Sequence, residues 1–93
     1  MSHAKEARRY FVRGRVQGVG FRYFAHHAAN AIGVCGYVRN LDNGDVEVYA
    51  VGNPEQLSDL AAILWKGPRY ADVRGVEEQE AAVERCAEFH MRH

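Results

Sequence analysis

The chain has 93 residues, enough for one small domain with a single core, since a chain of this size buries only about two thirds of its unfolded surface. Hydrophobic residues at 47% and charged residues at 26% fit an ordinary globular domain and exclude disordered and fibrous classes. Lys+Arg 12 and Asp+Glu 12 cancel, which excludes the general basic field of a protein built to coat nucleic acid, so any attraction for anions is local.

The two cysteines, Cys35 and Cys86, show no C-x-x-C pairing and no ordered His spacing; free thiols in a reducing compartment are expected rather than a bridge. Met1 to Arg9 contains no apolar run of the signal-peptide kind, and no segment approaches the roughly 20 apolar residues of a membrane helix. A cytoplasmic protein without membrane contact is the expectation.

Met1 to Ala7 is polar and aperiodic and reads as a frayed lead-in. From Arg8 to Gly14 the pattern alternates, with Tyr10 and Val12 on one side and Arg9, Phe11 and Arg13 on the other, as a strand buried on one face requires. The stretch Gly14-Arg15-Val16-Gln17-Gly18-Val19-Gly20-Phe21-Arg22 follows. Its glycines free the backbone for tight turns, and successive loop amides, a helix N-terminus and a guanidinium together make an anion grip. Phe21, Phe24, Ala25, Ala28 and Ile32 then recur at helical spacing up to Gly33, a helix stop.

Val34 to Leu41 and Val46 to Val51 alternate around Asp42-Asn43-Gly44-Asp45, whose Asn-Gly pair predicts a tight antiparallel hairpin. Asn53-Pro54-Glu55-Gln56 predicts a capped helix start, and Leu57, Leu60, Ala61 and Leu64 form the buried stripe of a second helix that stops at Gly67-Pro68. Beyond Ala71 the pattern weakens. Val73 and Val76 suggest a strand with a bulge at Gly75, and Glu77 to Glu84 reads as a solvated loop or edge. Phe89 and Met91 alternate with Glu88, His90 and Arg92 as a short last strand. The order is β-α-β-β-α-β with an additional short C-terminal strand, which predicts an α+β sandwich of two helices on one face of an antiparallel sheet.

The Gly14–Arg22 stretch, followed by Gly36-Tyr37-Val38-Arg39-Asn40 and Gly44-Asp45-Val46-Glu47-Val48, closely resembles the acylphosphatase family, over about Tyr10 to Val73. The resemblance implies a ferredoxin-like fold and hydrolysis of the carboxyl-phosphate bond of acyl phosphates, without metal, cofactor or phosphoenzyme. It also implies roles. Arg22 ends the first motif and corresponds to the arginine that binds the phosphoryl group; Asn40 ends the second and corresponds to the asparagine that positions the attacking water. The loop amides come from Arg15, Val16, Gln17, Gly18, Val19, Gly20 and Phe21. The implied ligands are a small-molecule acyl phosphate and, as product-like anions, phosphate or sulfate; no nucleic acid and a monomeric protein are expected.

The residues support the same chemistry on their own. The carboxylate leaving group has a conjugate acid of pKa about 4 and departs without protonation, so no general acid is needed. A loose phosphoryl transition state asks for positioning and for donors around its equatorial oxygens. Asn40 both accepts and donates hydrogen bonds, which suits it to orient water without taking up a proton.

The rival reading is a single-stranded RNA-binding module, with Phe11, Tyr37 and Tyr49 stacking bases beside Arg13 and Arg39 on the open sheet face. Zero net charge and acids on the same strands weigh against it. His26 and His27, adjacent on a helix, diverge by about 100° and are solvated residues rather than metal ligands. Trp65 reads as packing, and Glu77, Glu78, Glu80 and Glu84 as a charged edge that discourages strand association.

Overall fold

In the computed structural model, which describes residues 5–93, the chain folds in the order β1 (Glu6–Arg15), α1 (Phe21–Ile32), β2 (Cys35–Asn40), β3 (Val46–Gly52), α2 (Pro54–Lys66), β4 (Asp72–Ala81) and β5 (Phe89–Arg92). The five strands form one sheet in the order β4-β1-β3-β2-β5, with α1 and α2 packed on one face. This is the predicted ferredoxin-like sandwich with its extra strand. One pairing departs from expectation: β5 runs parallel to β2, so the sheet is mixed rather than wholly antiparallel.

Register decides which residues face the helices. Tyr10 pairs with Val48, Val12 with Val46 and Val38 with Val48, so these side chains share the inner face. They meet Phe21, Ala25 and Ala29 of α1 and Leu57, Leu60 and Leu64 of α2 in the main core. The buried line of α1 therefore runs through Ala29, and the expected Phe24, Ala28 and Ile32 flank it half-buried. The Tyr10 hydroxyl donates to the Leu57 carbonyl at 2.8 Å, so the polar end of this buried ring is satisfied by α2. Asn53 and Gln56 form a reciprocal capping box at the start of α2, as their spacing predicts.

The outer face carries a second, smaller core of Ala7, Cys35, Tyr49 and Val51, with Tyr37, Ala81 and Cys86 against it. The segment between β4 and β5 lies on this face, and Cys86 is bonded to Cys35. The expectation of two free thiols is therefore corrected. Pairing β5 parallel to β2 draws Glu88 against Gly36, whose N–H donates to the Glu88 carbonyl at 3.1 Å, and leaves Cys86 beside Cys35. The expectation of a frayed lead-in from Met1 to Ala7 is corrected at its end. Glu6 and Ala7 belong to β1, and Ala7 is buried in the second core; residues 1–4 lie outside the described part.

Of the two readings of the acidic run, solvated loop or edge, the structure has the edge as far as Ala81: β4 continues as a ten-residue edge strand, pairing with β1 along Glu77 to Ala81. The bulge expected at Gly75 lies one residue earlier: Arg13 faces Gly75 and Gly14 faces Val73, so Arg74 is the extra residue. Glu77 and Glu78 bridge to Arg13 and Arg8 of β1, which gives the charged edge ion partners on its neighbour.

Candidate active site

Strand direction assembles the site. β1 and β2 both run antiparallel to β3, and β5 runs parallel to β2, so the C-terminal ends of β1, β2 and β5 all lie at one end of the sheet. The loop leaving β1, Asn40 at the end of β2 and Arg92 at the end of β5 therefore gather there. Asn40 pairs with Val46, an inward-facing residue, so its side chain points to the helix side, where α1 begins.

The loop turns on Gly18 (φ 74°) and Gly20 (φ 79°), both in the left-handed region. Nothing crowds either position, so glycine is needed there for its backbone angle and not for space. Gly20 caps α1 without a side-chain hydrogen bond, and the first turn holds no acid. The N–H groups and positive dipole end of α1 are thus uncompensated and open to an anion.

Val16, Gly18, Gly20, Phe21, Arg22, Tyr23 and Asn40 line one cavity of about 200 Å³ at this end. The structure thus brings together both predicted catalytic residues and four of the predicted loop residues. The other three are placed differently. Arg15 is the last residue of β1, in register with Asp72; Val19 packs against the main core; and Gln17 turns its side chain to the β2–β3 hairpin. The Gln17 amide donates to the carbonyls of Leu41 at 2.7 Å and Asp45 at 2.9 Å, tying the glycine loop to the residue that follows Asn40. Arg22 donates through one guanidinium nitrogen to the Arg92 carbonyl at 2.9 Å. A guanidinium has five N–H donors, so this contact fixes its direction and leaves donors for a ligand. Neither tether has a local sequence signal, because each joins residues far apart in the chain.

The face opposite the helices looks different from the RNA-binding expectation. Phe11, Tyr37 and Tyr49 do share it, as alternation predicts. Tyr49, however, is 2% exposed: it stacks on Tyr37 with 5.4 Å between centroids, and its hydroxyl donates to Ala82 O and accepts from Glu84 N. Arg92 lies over the Tyr37 ring at 3.9 Å. Between them Glu47 is buried and held by Arg9 and Arg39, with Arg9 Nε at 2.8 Å. Arg9 pairs with Glu47 as an ion pair, and the Arg39 guanidinium donates to Glu47 and is held above its ordinary pKa by it. Tyr37, Tyr49, Arg9, Arg39 and Arg92 are thus engaged with one another and with Glu47, which does not favour the expected use of Tyr37 and Tyr49 as base-stacking surfaces.

A family model described as Acylphosphatase matches residues 8–91, nearly the whole chain. The chain belongs to the acylphosphatase family. Among its relatives, an acylphosphatase of Solibacter usitatus is 62% identical over 87 residues, spanning 94% of this chain and 91% of that protein. Two solved acylphosphatase structures superpose closely. That from Coxiella burnetii has a TM-score of 0.91 at 36% identity, covering 95% of this chain and 93% of its own, and that from Bacillus subtilis has 0.92 at 32%, covering 95% and 99%. The family is that of acyl phosphate hydrolases, so an enzyme acting on small-molecule acyl phosphates is what this sequence and fold encode. Among the described residues no helix is long and apolar enough to cross a membrane.

Proposed function

We propose that this acylphosphatase binds the phosphoryl group of its substrate in the Val16–Asn40 cavity, through Arg22 and the amides of the loop and first helical turn, while Asn40 orients the attacking water. One observation carries this reading: a guanidinium, an uncapped helix start and a neutral amide line the same small cavity. Donors held in place before substrate arrives stabilise charge on the equatorial oxygens without reorganising, which is where most phosphoryl-transfer catalysis comes from. The leaving carboxylate needs no proton, and Asn40 needs only to accept one hydrogen bond from water and offer another. Inorganic phosphate, the product, and sulfate, its isostere, are the expected inhibitors at this site.

The test is hydrolysis of a simple acyl phosphate followed by ultraviolet absorbance. In Arg22→Ala, kcat/KM falls by roughly 10²–10³-fold, the range for removing one preorganised donor, and inhibition by phosphate weakens with it. In Asn40→Ala, kcat falls while the phosphate inhibition constant holds, because the residue acts on water and not on the anion. Undiminished turnover in Arg22→Ala, or equal weakening of phosphate binding in both variants, refutes this division of roles. We further propose a monomer acting in the cytoplasm, where the Cys35–Cys86 bond would have to withstand a reducing pool. Size-exclusion chromatography and non-reducing electrophoresis of protein from its native cells test these two points.

A further inference from the structure

The cavity of about 200 Å³ is smaller than the ~300–1,000 Å³ of pockets that enclose a drug-sized ligand. A phosphoryl group fills such a space, and the acyl part of a substrate then lies at its rim. The rim offers little apolar surface. Val16 and Phe21 line the cavity but are 1% and 2% exposed, their side chains spent on the core.

Tyr23 differs from both. It lines the same cavity yet is 72% exposed, and it lies off the buried Phe21, Ala25, Ala29 line of α1. Among the described residues no aromatic ring stacks on it. Exposure alone would say nothing, since Tyr70 and Trp65 are also exposed; they line no part of the cavity, and Tyr23 does. The fold gives this ring no packing role, and it stands one residue from the guanidinium proposed to hold the phosphate.

We propose that Tyr23 is a specificity-determining residue whose ring forms the platform for the acyl group, so that this one side chain sets how strongly a planar aromatic acyl group is favoured over a short aliphatic one. This rests on the acyl phosphate reading above. An aromatic acyl group at the rim stacks offset on the Tyr23 ring and covers apolar surface that is otherwise in water. An acetyl group is too small to cover it. The phenolic hydroxyl stays solvated and takes no part, so phenylalanine serves equally well.

The experiment measures kcat and KM for benzoyl phosphate and acetyl phosphate in the wild type, Tyr23→Ala and Tyr23→Phe, with inhibition by inorganic phosphate as a separate reading of the anion grip. In Tyr23→Ala the benzoyl-to-acetyl ratio of kcat/KM falls roughly three- to tenfold, through the benzoyl phosphate KM, the size of one aromatic contact. Tyr23→Phe retains the ratio, and phosphate inhibition stays within about twofold in both variants. A ratio unchanged in Tyr23→Ala, or equal losses on the two substrates, overturns the assignment. Wild-type protein that hydrolyses neither substrate refutes instead the reading beneath it.

Discussion

The Gln17 side chain is the most direct handle on how this site is held. Its amide makes two hydrogen bonds into the β2–β3 hairpin, to Leu41 O at 2.7 Å and Asp45 O at 2.9 Å. Replacing it by alanine removes both, and a neutral hydrogen bond contributes about 0.5–1.5 kcal/mol net, so the pair is worth about 1–3 kcal/mol. The lower end applies. Both carbonyls keep a backbone donor, Gly44 N for Leu41 and Leu41 N for Asp45, so no acceptor is orphaned. Stability in urea therefore falls modestly, by about 1 kcal/mol. Activity falls further, because a shift of about 1 Å in a positioned group costs on the order of 10²-fold, and the tether sits one residue from Asn40. Gln17→Glu is worse than Gln17→Ala: a carboxylate cannot donate, and it sets a negative charge against two carbonyl oxygens beside the proposed anion site. The decisive measurement is a double-mutant cycle on kcat with Asn40→Ala. If Gln17 acts by holding the hairpin that carries Asn40, the second substitution adds little to the first. Full additivity, or a kcat in Gln17→Ala within twofold of wild type, refutes the reasoning.

The Cys35–Cys86 bond spans 51 residues, for which the chain-entropy model gives about 4 kcal/mol. Cys86→Ser, or reduction of the wild type, is expected to lower Tm by about 20 °C, read by circular dichroism; an unchanged midpoint with and without reductant would show that the bond contributes nothing. Tyr10 is buried, which raises its pKa above the ordinary 10.0. The folded state keeps the phenolic proton while the unfolded state loses it, so the contribution is complete below pH 10 and declines as pH rises toward the folded value. Urea midpoints between pH 9 and 11 should fall more steeply for wild type than for Tyr10→Phe, and parallel profiles would remove Tyr10 as the cause.

What the sequence disclosed follows from where each signal is stored. The helices announce themselves locally, α2 most plainly, because the Asn53–Gln56 box and the Leu57, Leu60, Leu64 stripe are written within one element. β4 is harder to read. Its residues from Glu77 to Glu80 are exposed, so no alternation marks them, and what makes them a strand is backbone pairing with β1. The disulfide was equally out of reach, since it depends on β5 choosing the outer edge of β2 and a parallel direction. Arg22 and Asn40 were legible through the two glycine motifs of the family. Their meeting in space comes from strand direction, which short motifs do not state.

The loop between β1 and α1 has a mechanical problem that the rest of the chain solves. Gly18 and Gly20 supply the required angles but have no side chains with which to hold them, and glycine loses more freedom on ordering than any other residue. Rigidity has to be imported. Val16 on one side and Phe21 on the other are sunk in the core, so both ends of the loop are anchored. Gln17 fastens its middle to the hairpin, and Arg92 of β5 directs the guanidinium just beyond it. The loop and the guanidinium are thus held by contacts with the core, the hairpin and β5, as the preorganised phosphoryl site proposed above demands. This accounts for the weight of non-local structure behind so small a site: a loop free enough to take up these angles is too free to keep them, and each tether removes one way of escape.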